Sequence, residues 1–387
     1  MNGEISQTVA GLGLAAEVTD ALERWMLHPR YASERPALKS LVAEAQAGSA
    51  AAKAEIVDAF SRTLPIGTGG RRGKVGPGPN RFNTVVVRET AQGVADALHR
   101  AGDAPKVVIV YDTRRDSRTF AHVAAEQLAA NDIQVTLIDA PRPTPELSFM
   151  VRRLGCGAGI VLSASHNPPE DNGIKIYGPD GAQVLGARDA ALMAAILAVA
   201  GLPELPRAGD AQLSTIRVIA GDAIASEADA PYHDYVRAQG VVRGSLASSG
   251  LKIAFTPLHG VGHTSVLPVL RSRGLEVHAV AAQCDPDGGN FSTVRSANPE
   301  LPESMAMAID LAREVGADLV LATDPDADRL GACVRVRGEY LPIDGNRLGV
   351  LMLDHVLRNQ RPPAKGWVLT TLVTSPLIGT LARAAGV

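Results

Sequence analysis

The sequence predicts an α/β protein made of consecutive three-layer α/β/α domains with mixed sheets, preceded by an N-terminal helical extension. Three observations lead there. At 387 residues the chain is too long for one core and suits two or three domains. From Thr84 onward, short apolar runs alternate with stretches of helical period, the pattern of buried strands joined by helices. The residues before that point are Ala- and Glu-rich and show only helical periodicity.

Taken in order, helices are expected around Ala15–Trp25 and Leu38–Phe60, which makes residues 1–58 the extension. A first domain, residues 59–225, opens on the β-branched run Val85–Val87 leading into a helix over Glu89–Ala101. Strands follow at Val107–Tyr111, Gln134–Ile138 and Gly157–Leu162, with helices at Phe120–Asn131 and from the Pro-rich bend Ala140–Pro145 to Leu154. Asn172-Gly173 reads as a turn and Ile174–Tyr177 as a returning strand. After the linker Ser245–Gly250, the second domain, 226–338, places strands at Leu251–Phe255, Leu275–Ala281 and Asp318–Thr323, and helices at Val261–Arg273 and Pro302–Val315. A third unit, 339–387, is expected to hold helix Asn346–Arg358, strand Trp367–Thr371 and helix Pro376–Ala385.

Composition narrows the class. Aromatics are only 4%, so the core must be built from Ala, Val, Leu and Ile. A formal charge of −3, with no clustered basic run, gives no reason to expect a nucleic-acid partner. Cys156, Cys284 and Cys333 are far apart and in no metal-like spacing, which suits a reducing compartment. The first residues, MNGEISQ, do not look like a signal peptide, and the longest apolar run, Ala190–Leu202, is too short to span a bilayer. A soluble, cytoplasmic protein without membrane contact is expected.

Four segments carry chemistry. Asp324-Pro-Asp326-Ala-Asp328 follows a buried strand directly. If that segment is extended, its alternating carboxylates converge on one hard cation such as Mg²⁺, Ca²⁺ or Mn²⁺. The plain alternative is a solvated acidic loop. An EF-hand does not fit, because Arg329 and Arg335 stand where Gly and Glu are needed. Ser163-Ala-Ser165-His166-Asn167-Pro168 sits at the carboxyl end of a strand, where α/β sheets bind ligands, and Lys175 on the returning strand could lie beside Ser165. Ser165 is therefore a candidate nucleophile; a simple turn is the competing reading. It is not a hydrolase elbow, since Ser163 and Asn167 replace both glycines.

Leu64-Pro-Ile-Gly67-Thr68-Gly69-Gly70-Arg71-Arg72-Gly73 could wrap an anion with backbone N–H groups and guanidinium forks, or could be a Gly-rich linker. It matches neither a dinucleotide fingerprint nor a Walker loop. The fourth segment, Thr256-Pro-Leu-His259-Gly260-Val-Gly262-His263, reads best as a tight strand-to-helix turn, with no catalytic role for His259.

Together and in this order, Gly67-Thr-x-Gly-x-Arg72-Gly73, Ser163-Ala-Ser165-His-Asn-Pro168, Asn172-Gly-x-Lys175, His259-Gly-x-Gly262 and Asp324-x-Asp-x-Asp-Arg329 resemble the α-D-phosphohexomutase family. The segments Gly76–Asn83 and His259–His263 look most like its phosphoglucomutase and phosphopentomutase branch. The resemblance implies a phosphoserine at Ser165, with Mg²⁺ held by Asp324, Asp326, Asp328 and an oxygen of the Ser165 phosphate. It further implies Lys175 as general acid/base, Thr68, Arg72 and Arg329 as phosphate contacts, and His166 and Asn167 as shapers of the serine loop. The substrates implied are sugar phosphates, interconverted between hexose 1- and 6-phosphates through a bisphosphate such as glucose 1,6-bisphosphate. Phosphomannomutase or phosphopentomutase activity, and an inactive sugar-phosphate-binding fragment, are alternatives. The family's Gly-Glu sugar-reading loop and Ser-Gly-Thr phosphate loop do not occur in the sequence, so a C-terminally truncated member is expected. Whether it is a monomer or a dimer is left open.

Overall fold

The computed structural model describes residues 2–67, 70–200, 202, 204–360 and 366–387. The chain folds as two compact units, Met1–Ala228 with Gly288–Asn290, and Asp229–Asp287 with Phe291–Val387.

In the first unit, helices Asn2–Ala10, Ala16–Leu27, Arg35–Gln46 and Ala50–Phe60 form the N-terminal part. The helical stretch expected over Leu38–Phe60 divides into two helices. Gly48 adopts φ +94°, which ends the first, and the Ser49 hydroxyl caps the second by accepting from Ala52 N at 3.2 Å. Leu22, Leu38 and Ile56 are fully buried in a small core shared with Val85, and Trp25 stacks on Tyr31 at 4.4 Å. Buried Arg81 ties this part to the segment that follows, donating to Glu55 at 2.8 Å and Asp58 at 2.6 Å. Asn83 closes that segment, donating to the carbonyls of Gly76 and Gly78.

Six strands form the sheet of this unit: β1 (Gly70–Lys74), β2 (Lys106–Tyr111), β3 (Gln134–Ile138), β4 (Ala158–Leu162), β5 (Asp171–Tyr177) and β6 (Arg217–Ile219). Their order is β1-β5-β4-β2-β3-β6; β4, β2, β3 and β6 run parallel, and β5 and β1 antiparallel to their neighbours. Ile109, Ile160 and Ile174 pack in one core with helices Thr84–Ala101, Ser117–Ala129 and Gly186–Ala200. Val108, Val110 and Val161 pack in another with helix Thr144–Leu154. The result is three layers around a mixed sheet.

Some expectations fail in this unit. Val85–Val87 is helical, because Asn83 caps the helix by accepting from Val86 N at 3.1 Å and burial of all three valines outweighs their strand preference. Asn172-Gly173 is not a turn but lies within β5, opposite Gly73 and Arg72.

The second unit holds β7 (Lys252–Thr256), β8 (Glu276–Ala279), β9 (Leu319–Thr323), β10 (Leu330–Val336) and β11 (Glu339–Ile343), in the order β11-β10-β9-β7-β8. Helix Ala306–Val315 shares a core of Ala254, Val320 and Ala322 with one face, and helix Gly262–Ser272 packs with Phe255 and Val277 on the other. β11 returns from β10 through a two-residue turn with Arg337 at φ +52° and Gly338 at φ +91°. Tyr340 on β11 donates to the carbonyls of Ala312 and Ala317, so β11 completes this sheet beyond the boundary placed at 338. Helices Gly345–Asn359 and Leu377–Ala384 follow. No strand forms over 367–371: no described neighbour offers the backbone partners that a strand needs, and Trp367 and Leu369 are 77% and 80% exposed.

Candidate active site

The serine loop grows from the sheet. β4 is buried throughout and ends at Leu162; β5 returns beside it with Lys175 opposite Val161. Ser163 N still pairs with Gly173 O at 2.9 Å, and then the backbone turns away. The Ser163 hydroxyl accepts from Ser165 N at 2.8 Å, and Ser165 sits at φ +54°, a left-handed conformation uncommon for a residue with a Cβ. Ser165 is 1% exposed, with its Oγ 3.3 Å from Nδ1 of half-buried His166. Asn167 closes the loop, its N–H donating to Ala164 O and its side chain to the Asp171 carboxylate at 2.9 Å. Asn167 thus ties the loop to Ala164 and Asp171.

The glycine-arginine segment is a strand where a flexible loop is expected. β1 pairs with β5, and the glycines serve this close approach: a Cβ on Gly70 would lie 1.9 Å from Ile174 O, and one on Gly173 2.6 Å from Ser163 O. The two arginines point to different tasks. Arg71 is buried against Glu89 at 3.3 Å, where burial lowers its pKa and the carboxylate opposes that; Glu89 also holds Arg30 at 2.9 Å. Arg72 lines a cavity of about 330 Å³ together with Gly67, Gly70, Lys175 and Gln183. Arg72 and buried Lys175 therefore share one hollow, with two cationic groups suited to an anion. Thr68 lies outside the described residues.

A residue that the sequence reading missed organises the serine loop. After β2 the chain reads Asp112-Thr-Arg114-Arg115-Asp116-Ser117. The Arg114 side chain is fully buried and donates to four carbonyls of the loop: Ser165 at 2.6 Å, Asn167 at 2.5 Å, Pro168 at 2.7 Å and Asp171 at 2.8 Å. Its charge is met by the equally buried Asp112, with Nε 3.4 Å from a carboxylate oxygen. The available signal was a charged Asp-x-Arg directly after a buried strand. Nearby, Asp139 at the end of β3 accepts from Arg118 and Tyr111; the Arg118 hydrogen bond foremost holds its carboxyl down at about 2.

In the second unit Asp324, Asp326 and Asp328 bring ligand oxygens within 4.8 Å of one another. Asp324 and Asp326 are fully buried. The path differs from the extended one expected. The loop is a tight turn: Ala327 N donates to Asp324 O, Ala327 takes φ +55°, and Asp324 Oδ1 accepts from the N–H groups of Asp328 and Arg329. A turn gathers three carboxylates onto one point more closely than a strand, whose alternate side chains stand several ångströms apart. Arg329 reaches Asp328 at 3.9 Å and is partly exposed.

The His259 turn supports this loop. Leu258 and His259 are both left-handed, and His259 is held by Asp285 O at 2.7 Å and Thr293 Oγ at 2.6 Å. Val261 N donates to Pro325 O at 2.9 Å, and a Cβ on Gly260 would lie 2.2 Å from Pro325 Cα. His259 thus anchors the turn to Asp285 and Thr293. The donor set suits a hard divalent cation: three carboxylates this close, two of them buried, repel one another unless a cation sits among them.

Comparison with known proteins agrees with this geometry. Residues 64–200 match the phosphoglucomutase/phosphomannomutase α/β/α domain I and residues 230–338 match domain II. A phosphoglucomutase of Staphylococcus epidermidis is 39% identical over 331 residues, covering 84% of this chain and 59% of that protein. The chain therefore spans about three-fifths of the length of this relative. Among solved structures, a candidate phosphomannomutase from Thermus thermophilus superposes with TM-score 0.67 at 23% identity, over 83% of this chain and 67% of that one. A phosphoglucomutase/phosphomannomutase family protein from Burkholderia thailandensis gives TM-score 0.60 at 22% identity, over 78% and 61%. The fold is that of the phosphohexomutase α/β/α domains. The chain belongs to the phosphoglucomutase/phosphomannomutase family. No helix among the described residues is long and apolar enough to cross a membrane.

Proposed function

We propose that the chain carries the phosphoserine and metal loops of an intramolecular phosphotransferase that interconverts hexose 1-phosphate and hexose 6-phosphate, with glucose 1-phosphate the favoured substrate. The observation that carries this reading is the pair of built loops in one family member: a buried serine on a clamped loop, and three carboxylates gathered within 4.8 Å. The 39% identical relative bears the name phosphoglucomutase, which favours glucose over mannose or pentose.

Asp324, Asp326 and Asp328, with a phosphate oxygen on Ser165, would hold Mg²⁺, which neutralises charge on the transferring phosphoryl group. In the first half-reaction the phosphoryl group leaves Ser165 Oγ for a sugar hydroxyl. The P–Oγ bond breaks, a sugar O–P bond forms, and the hydroxyl proton passes through Lys175 to Ser165 Oγ. The bisphosphate then returns its other phosphoryl group, with bonds and proton moving in the reverse sense. Arg72 and Thr68 would hold the phosphate that is not transferred, and Arg329 would contact phosphate beside the acidic loop. Lys175 would relay that proton between the sugar hydroxyl and Ser165 Oγ.

Incubation with Mg²⁺ and glucose 1,6-bisphosphate, followed by phosphate mapping, tests the reading. Phosphate is expected on Ser165 and nowhere on Ser165→Ala. A folded native chain that stays unlabelled, or takes phosphate elsewhere, contradicts it.

A further inference from the structure

We infer that Arg114 is a positioning residue for phosphoryl transfer, fixing the Ser165 hydroxyl through the backbone of its loop. The inference rests on Ser165 as the phosphate acceptor.

Burying a guanidinium is costly unless its charge and its N–H groups are all served. Here that burial is directed at one target. Both Nη atoms donate twice, and all four acceptors are carbonyls between Ser165 and Asp171. Nε faces Asp112, whose other oxygen accepts from Arg114 N at 3.0 Å and Ser117 Oγ at 2.9 Å. Asn172 at the start of β5 donates to the same Ser117 hydroxyl and to Arg115 O, closing the network from the other side.

The carbonyl of Ser165 itself is among the four. A serine at φ +54° is held in a left-handed conformation that a residue with a Cβ seldom adopts. That conformation sets the direction of the Cα–Cβ bond, and hence of Oγ. The clamp therefore acts where the reacting atom is aimed, although the guanidinium sits on the backbone side of the loop. Lysine cannot substitute, because an ammonium has three donors and no planar fork with which to span four carbonyls. A displacement of about 1 Å in a reacting group costs roughly a hundredfold in rate.

Single-turnover labelling of Ser165 by glucose 1,6-bisphosphate and Mg²⁺ separates aim from folding, since the amplitude counts competent molecules and the rate constant reports their geometry. Arg114→Lys is expected to lower the rate constant at saturating bisphosphate about 100-fold, with final amplitude and half-saturating concentration unchanged. A rate constant within about twofold of native, with only the amplitude reduced, overturns the inference and leaves Arg114 a purely structural residue. Should Arg114→Lys not fold, Asp112→Asn decides by the same rate constant, expected to fall about tenfold and contradicting the inference if unchanged. A native chain that takes no phosphate at Ser165 sinks the functional reading itself, whereas normal labelling of both variants sinks only the clamp.

Discussion

Asp326→Asn is expected to weaken Mg²⁺ binding by about 100-fold, the upper end of what losing even a supporting group around a metal costs. The same substitution should leave the metal-free chain at least as stable as the native one. Both signs follow from one feature. Two of the three carboxylates are fully buried and all three offer oxygens within 4.8 Å, so each like-charge pair repels by about 3 kcal/mol at an effective dielectric of 20. A divalent cation turns that repulsion into ligation; without one, removing a charge is relief. Thermal melts in EDTA and in Mg²⁺ read both effects. At 100 times its dissociation constant Mg²⁺ should stabilise the native chain by about 2.7 kcal/mol, and this increment should largely vanish in the variant. A variant melting lower than native in EDTA, with its Mg²⁺ increment intact, would show that Asp326 is a structural acid.

Gly260→Ala is expected to cost about 3 kcal/mol, the upper range for forcing a methyl group into a packed site, and to weaken Mg²⁺ binding with it. The added Cβ would lie 2.2 Å from Pro325 Cα and 2.5 Å from Pro325 O, both backbone atoms that no rotamer change can move aside. Either the His259 turn or the acidic loop must shift, and Val261 N loses its bond to Pro325 O in both cases. Gly345→Ala supplies the contrast within the same unit. It opens helix Gly345–Asn359, and a Cβ there meets nothing within 4 Å, so a change below about 0.5 kcal/mol is expected. Urea unfolding and Mg²⁺ titration of the two variants check the pair; equal effects would mean that the turn does not press on the loop.

The sheets were legible where local pattern and tertiary environment agree. Val107–Tyr111 and Leu319–Ala322 are continuous apolar runs, and Gln134–Ile138 is apolar at Val135, Leu137 and Ile138, because both faces of these strands are covered; each folds as read to within a residue or two. Where the two disagree, sequence misleads. Val85–Val87 has the composition of a strand but sits behind the Asn83 cap, and Trp367–Thr371 has strand character with no strand to join among the described residues. β1 was hidden because its glycines signal flexibility; they serve instead the close approach of β1 to β5.

The site divides the same way. The three aspartates stand at a spacing that residue type alone can single out, whereas Ser165 and Lys175 stand out only in combination with the other segments. Arg114 was invisible because its task is to serve four backbone carbonyls, and which carbonyls an arginine will meet is decided only when β2, β4 and β5 assemble. The turn at Ala327 was missed for a related reason: Pro325 argues for an extended start, and nothing local announces a left-handed alanine two residues on.

Phosphorus-31 NMR of the Ser165-phosphorylated chain, titrated with Mn²⁺ in place of Mg²⁺, reads directly whether the serine loop and the acidic loop serve one ion. Bound at the three aspartates and touching the phosphate, the paramagnetic ion should broaden the phosphoserine resonance beyond detection, and Asp326→Asn should restore it at the same Mn²⁺ concentration. A resonance that stays sharp while Mn²⁺ occupies the acidic loop would contradict the account.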